Sequence, residues 1–249
     1  MNLNDCTSAC VRELWERFAE GNPSGPANLE EEAHRLVAGL YERFAESLVL
    51  ARGFLTVPYS HLPERRQRFA HGLAEGASVL PALVAETPVL TLLATAGAKP
   101  PWNDVRASQG HVAIPLVSRE FVASIPMLAY LLRELGLPLS WAADAGSNYI
   151  REVLGSATGL AYVDDATQAT DGEGRKIIAA QSFVTEEGVR SVFAVGGAYF
   201  GGAVLVLLFF CRERVRREAA RRLMPLVNLF KGRTQPWFAP ERVFRAEPA

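Results

Sequence analysis

The 249-residue sequence predicts an α+β fold, and three features carry that expectation. The uncharged run from Val192 to Cys211 is broken by Gly201-Gly202, as in a hairpin of two buried strands. Apolar stripes at helical spacing alternate with strand-like runs, and a hydrophobic content of 49% supplies a sizeable core.

The apolar run has a rival reading. Val192–Cys211 is about the length needed to cross hydrocarbon, Gly197 and Gly201 form a GxxxG, and arginines follow, so a membrane span at 192–211 is the alternative. Its glycines argue for the hairpin, because Gly196, Gly197, Gly201 and Gly202 would each cost about 1 kcal/mol relative to Ala inside a helix. As strands, Ser191–Phe200 and Ala203–Cys211 flank a turn in which Gly201-Gly202 supplies positive φ. Val204, Val206, Leu208 and Phe210 then face one side and Leu205, Leu207 and Phe209 the other. Two apolar faces mark a central strand covered on both sides.

The other elements follow in order. Thr7–Ala19 places Val11, Leu14, Trp15 and Phe18 on one helical face, as a packing or dimer arm. "GNPSGPAN" (Gly21–Asn28) is a linker, and Asn28 with Glu31 three positions on resembles a capping box. The next helix carries the stripe Leu29, Ala33, Leu36, Val37, Leu40, Tyr41 and Phe44. Ser47–Tyr59 reads as a strand, "LPERRQRFAHGLAEG" as an exposed helix with Pro63 in its first turn, and Thr87–Gly97 as a second strand. His111–Val117 is a short strand, and Ser124–Gly136 a helix with Ser124 as cap and Pro126 in its first turn. Leu160–Val163 is a strand, followed by an acidic loop in which Asp164 and Asp165 cap a turn, then by a helix ending at Gly188. After the hairpin, Arg212–Phe230 reads as one helix, with Val215, Ala219, Leu223, Leu226, Val227 and Phe230 on its apolar face and arginines opposite. The organisation is therefore an N-terminal helix and linker over 1–28, one domain over 29–231 and an irregular tail over 232–249.

A net charge of −1, from 26 basic and 27 acidic residues, gives no global field toward nucleic acid or an anionic membrane. In "RERVRREAARR", Glu213 and Glu218 interleave with the arginines and no aromatic platform accompanies them, so a solvated helix face is expected rather than nucleic-acid binding. Cys6, Cys10 and Cys211 show no CxxC spacing, and no charged segment followed by an apolar one opens the chain. A cytoplasmic protein with reduced thiols and no metal site is the expectation.

The segment "FVTEEGVRSVFAVGGAYFGGAVLVLLFFCRERVRREAARRLMPLVNLF" resembles the end of a GAF domain: helix, "GVRS", strand, glycine turn, apolar strand, long helix. "HVAIPLV" is similar to a GAF middle strand, and the resemblance spans about Leu29 to Phe230. It implies an antiparallel β-sheet with helices on both faces, a small-molecule pocket over one face, and a sensor or bacterial regulator that signals through a helical homodimer interface. A histidine kinase or transcription regulator is the kind of partner implied. The stretch Trp102–Thr158 matches no ligand-specific GAF signature, so the ligand does not carry over.

No GxSxG, HExxH, Walker A or GxGxxG fingerprint is present, and a non-enzymatic domain is expected. An enzyme acting in the same pocket and a structural dimerisation module are the alternatives. The methionine-sulfoxide reductase class of GAF folds uses pocket cysteines, which the positions of Cys6, Cys10 and Cys211 do not support. Some GAF sensors bind haem, but no HxxxH or CxxCH frames His34, His61, His71 or His111, so haem is not favoured and the cofactor stays open. The loop "PWNDVRASQGH" is the candidate ligand site: Trp102 as a stacking face, Asn103 and Asp104 as hydrogen-bonding groups, Arg106 as a cation for a carboxylate or phosphate, and His111 at the loop's end. The competing reading is a loop capped by Asn103 and Asp104, with Arg106 paired to Asp104 and His111 as a hydrogen-bonded structural residue.

Overall fold

The computed structural model describes residues 1–22, 27–137, 158–199, 201–237 and 242–245. Parts of the expected linker and tail, and Phe200 of the hairpin, lie outside the described residues. The helices are α1 (Ser8–Glu20), α2 (Leu29–Arg43), α3 (Glu64–Gly76), α4 (Arg119–Ala123), α5 (Pro126–Glu134), α6 (Gln181–Glu186), α7 (Arg217–Arg221) and α8 (Met224–Thr234). The strands are β1 (Leu48–Pro58), β2 (Pro88–Gly97), β3 (Ala113–Pro115), β4 (Thr158–Val163), β5 (Ser191–Ala198) and β6 (Val204–Cys211). They form one sheet in the order β3-β2-β1-β6-β5-β4, with every neighbouring pair antiparallel.

The apolar run is the hairpin β5–β6, in register from Ser191 opposite Cys211 to Ala198 opposite Val204. Gly201 and Gly202 take φ of 102° and 90°, values that a side chain would strain. The turn closes through Tyr199 N donating to Ala203 O at 2.7 Å and Gly202 N donating to Tyr199 O at 3.1 Å. Among the described residues, no helix is long and apolar enough to cross a membrane. The span alternative is therefore replaced by two strands.

Both faces of β6 are covered. Leu205, Leu207, Phe209 and Cys211 join the core under α1, α2, α7 and α8, whereas Val204, Val206, Leu208 and Phe210 join a second core under α4, α5 and α6. Phe193 and Phe209, a cross-strand pair, stack at 4.7 Å between centroids. On the second face the sheet has a flat spot, because Gly159 of β4 lies opposite Gly196 of β5. A Cβ on Gly159 would come within 2.6 Å of Leu135 Cα, and one on Gly196 within 2.9 Å of Leu135 Cδ1. The missing side chains let the end of α5 rest on the sheet. The result is an α+β architecture, an antiparallel sheet with helices on both faces.

Several boundaries move. α2 begins as expected: the Asn28 side chain accepts from Glu31 N at 2.8 Å, and Leu29, Ala33, Leu36, Val37 and Leu40 are buried. Ser124 does not cap α5. It ends the extra helix α4, donating its hydroxyl to Phe121 O at 2.6 Å, and Ser118 caps α4 by accepting from Phe121 N at 3.1 Å. α5 starts on Pro126, with its first turn preset by the proline ring. Pro63 is the residue before α3 rather than part of its first turn. β3 is only Ala113–Pro115, since His111 takes a left-handed φ of 57° that ends the extended run.

The terminal helix expected over 212–230 is two helices. Pro225 has no N–H to donate and favours a first helical turn, so α8 restarts at Met224 after α7 ends at Arg221. Its docking is polar as well as apolar: Lys231 Nζ donates to Ala198 O at 2.7 Å, and the Tyr199 hydroxyl meets Thr234 Oγ1 at 2.8 Å. Val215, Leu223 and Phe230 are all at most 1% exposed within the chain. That stripe therefore presents no surface to a second copy.

The arginines after β6 fasten the amino terminus. Arg216 and Arg222 donate to the carbonyls of Asn4 and Cys6 at 2.6 and 2.7 Å, and Arg214 pairs with Asp165 at 2.5 Å. Glu213 accepts from Asn2 and Asn4 at 2.8 and 3.1 Å. α1 packs into the first core through Cys10, Val11 and Phe18, as a packing arm.

Candidate functional site

The loop between β2 and β3 begins with two short helical turns, Pro100–Asn103 and Val105–Ala107. It distributes the five candidate residues among three places.

Trp102 turns inward over the sheet. It packs edge-on against Phe183 at 5.7 Å, and Phe183 in turn meets Phe210 at 5.4 Å. Its ring occupies the room a Cβ on Gly97 would need, only 2.9 Å away, and Lys99 Nζ lies 5.2 Å from its centroid. The stacking face expected for a ligand is thus taken by protein groups.

Asn103, Asp104 and Arg106 stand on the rim of a cavity. Asn103 is committed to holding the loop, accepting from Gly97 N at 2.9 Å and donating to Gly97 O and Lys99 O at 3.1 Å each. Asp104 accepts from Arg106 N at 2.8 Å, so the expected pairing between these two residues runs through the backbone. The Arg106 guanidinium is left exposed, while its carbonyl accepts from Arg65.

His111 sits apart, beside Arg52 of β1. Arg52 projects on the same face as its cross-strand partner Leu208 and donates to Gly110 O at 3.2 Å. Burial lowers the Arg52 pKa, and its Nε is buried without a partner among the described residues. The His111 imidazole is pushed down first by desolvation and second by the Arg52 charge. The residue still keeps solvent exposure, which limits the energetic weight of that shift.

The cavity at the Asn103–Arg106 rim has a volume of about 490 Å³. It lies at the sheet edge between α2, α3 and the loop, and its floor is apolar, from Leu93, Val105 and Val112. Five arginines line it against two carboxylates, Glu30 and Asp104, with His34 also on the wall. Arg65, Arg66 and Arg68 come from the start of α3, within about one turn of one another; Arg245 comes from the carboxyl-terminal segment. That segment is tied to α2, because Glu30 N donates to Val243 O at 2.8 Å and Arg245 N donates to Glu30 Oε2 at 3.0 Å.

Arg66 is the buried member, with a side chain 8% exposed. Its Nη2 pairs with Glu30, its guanidinium lies 4.4 Å over the Phe244 ring, and its Nη1 is buried without a partner among the described residues. Sequence reasoning passed over Arg66 by treating α3 as an exposed helix. The available signal was spacing: Arg66, Ala70 and Ala74 recur every four residues and form the buried face. A second, much smaller space of about 10 Å³ lies on the other core, between Met127, Tyr130, Ile178 and their neighbours.

Cys6, Cys10 and Cys211 are buried and unpaired in the first core, on the opposite side of the sheet from the Trp102 cluster. Burial pushes the Cys6 thiol up to about 12 and raises that of Cys211 as well.

No family model matches the chain, and no curated protein matches it. Several solved structures are similar. A free methionine-R-sulfoxide reductase from Neisseria meningitidis, in complex with its substrate, has 14% identity and a TM-score of 0.48, covering 93% of this chain and 92% of that one. The GAF domain of an Acinetobacter phosphoenolpyruvate-protein phosphotransferase has 14% identity and a TM-score of 0.44, covering 90% and 92%. A phycocyanobilin-bound GAF domain from a cyanobacterial phytochrome has 10% identity and a TM-score of 0.45, covering 92% and 98%.

Proposed function

We propose that the chain is a non-enzymatic regulatory domain that binds a small molecule in the cavity between α2, α3 and the 100–107 loop. The cavity itself carries this reading, since about 490 Å³ falls in the range of roughly 300 to 1,000 Å³ used for small ligands. Its walls come from four stretches of chain far apart in sequence. A ligand there touches α2, α3, the loop and the Val243–Arg245 segment at once, and so favours one arrangement of them over others. That population shift is the signal passed to a partner.

The non-enzymatic part of this reading rests on the lack of GxSxG, HExxH, Walker A and GxGxxG fingerprints in the sequence, and the thiols are consistent with it. Cys6 and Cys211 have raised pKa values and are fully buried, so neither supplies a thiolate at neutral pH. A cytoplasmic setting rests on the odd set of cysteines without CxxC spacing, and a homodimer with a histidine kinase or transcription regulator as partner rests on the GAF resemblance. The Val215, Leu223 and Phe230 stripe does not support the dimer, and only Val84 and Leu229 are large exposed apolar residues among those described.

Native mass spectrometry of the freshly purified chain, followed by denaturing extraction, tests the reading. A released metabolite that no longer co-purifies with Arg106→Ala is the expected result. A chain that carries nothing, and shows no thermal shift with any member of a broad metabolite panel, would refute it.

A further inference from the structure

We infer that the ligand of this cavity is a phosphorylated small molecule with a compact apolar portion, its phosphoryl group held by Arg66, Arg106 and the arginines beside them. The inference rests on the small-molecule reading of the cavity and gives it a chemical class. Its starting point is the idle donor. A buried N–H without a partner costs free energy, and Arg66 Nη1 is such a group on the wall of a space large enough for a ligand.

The rest of Arg66 is already oriented. Glu30 holds Nη2 and the Phe244 ring supports the guanidinium plane, so the fork is fixed before any ligand arrives. Among the described residues, Glu30 is one of two lining carboxylates against five arginines, and the other, Asp104, receives the Arg106 backbone N–H. Arg68 pairs with Glu64 outside the cavity at 2.8 Å, and Arg245 with Glu31 at 3.5 Å; both pairs are solvent-exposed and weak. The cavity therefore retains an excess of positive charge.

A monocarboxylate neutralises one such charge. A phosphate monoester carries roughly −1.5 to −2 near pH 7 and three acceptor oxygens, and arginine forks match it bidentately. The volume exceeds what inorganic phosphate fills, and the floor of Leu93, Val105 and Val112 offers the remaining space to an apolar group.

Phenyl phosphate, benzoate and phenol form a matched set of probes for calorimetry with the full chain. Phenyl phosphate is expected to bind, to be displaced by excess inorganic phosphate, and to weaken as ionic strength rises from 0.1 to 1 M, where the Debye length falls from about 10 Å to about 3 Å. Arg106→Ala, at an exposed position, should weaken binding by about ten- to a hundredfold with thermal stability unchanged. Arg66→Lys should weaken it similarly, because a lysine keeps a charge for Glu30 but not the planar fork. Benzoate or phenol binding as tightly as phenyl phosphate would overturn the phosphoryl assignment while leaving the small-molecule reading intact. Equal affinity of the wild type, Arg106→Ala and Arg66→Lys for phenyl phosphate would also overturn it, as would no binding of any of the three probes.

Discussion

Glu32 offers a demanding test of how the helices on the first face are joined. It lies in the first turn of α2, its side chain is 0% exposed, and it accepts from Arg35 at 2.6 Å and from Arg233 of α8 at 2.9 Å. Both guanidiniums also approach the Phe18 ring of α1, at 5.0 and 5.8 Å. One buried carboxylate thus joins three helices. Glu32→Ala leaves two part-buried cations, 29% and 18% exposed, without their counter-charge. Breaking a buried pair this way costs about 3 to 5 kcal/mol. The lower end applies, because Arg35 still donates to Phe18 O at 3.1 Å and Arg233 to Asn22 O. A loss of about 3 kcal/mol corresponds to a Tm lower by roughly 6 to 12 °C for a chain of this size. Urea unfolding followed by circular dichroism gives the free energy. Arg233→Ala in the wild-type and Glu32→Ala backgrounds then isolates the pair, with an expected coupling of about 1 to 3 kcal/mol. A cost below about 1 kcal/mol for Glu32→Ala, together with the same Arg233→Ala effect in both backgrounds, would refute the reasoning.

Gly159→Ala should destabilise the chain by about 1 to 3 kcal/mol, since its Cβ meets the Leu135 backbone rather than a movable side chain; an unchanged urea midpoint would mean that α5 is free to lift off the sheet. Stability should fall as pH rises from about 9 to 12. The Cys6 thiol and the Tyr162 hydroxyl, each pushed up to about 12 chiefly by burial, stay protonated in the folded chain after their unfolded counterparts, with ordinary values of 9.0 and 10.0, have ionised. Cys211 and Tyr199 shift in the same direction, whereas Lys231, lowered by burial, favours the folded state as pH climbs toward 10.5. Urea midpoints that stay level or rise between pH 9 and 11 would contradict this balance.

The strands and most helices were legible in the residue pattern because burial on one or two faces leaves a period. β6 could be read as a central strand from alternate apolar residues on both of its faces, and Gly201-Gly202 marked the turn by local backbone preference. α1 and α2 were equally plain from their stripes, and α2 also from its cap Asn28, whereas the cap Thr7 of α1 shows only in the structure. These signals are local: each depends on residues within a few positions of one another. Only the tertiary structure decided where the loop residues went. Trp102 fills space above Gly97, His111 joins Arg52, and Asn103, Asp104 and Arg106 border the cavity, because each is claimed by neighbours from a different element. The same holds for the buried charges. Glu32 and Arg66 occupy helix positions that read as polar surface until Arg233, Glu30 and Phe244 arrive from distant parts of the chain. Burial of a charge depends on a partner brought by the fold, and no local pattern encodes which partner that is.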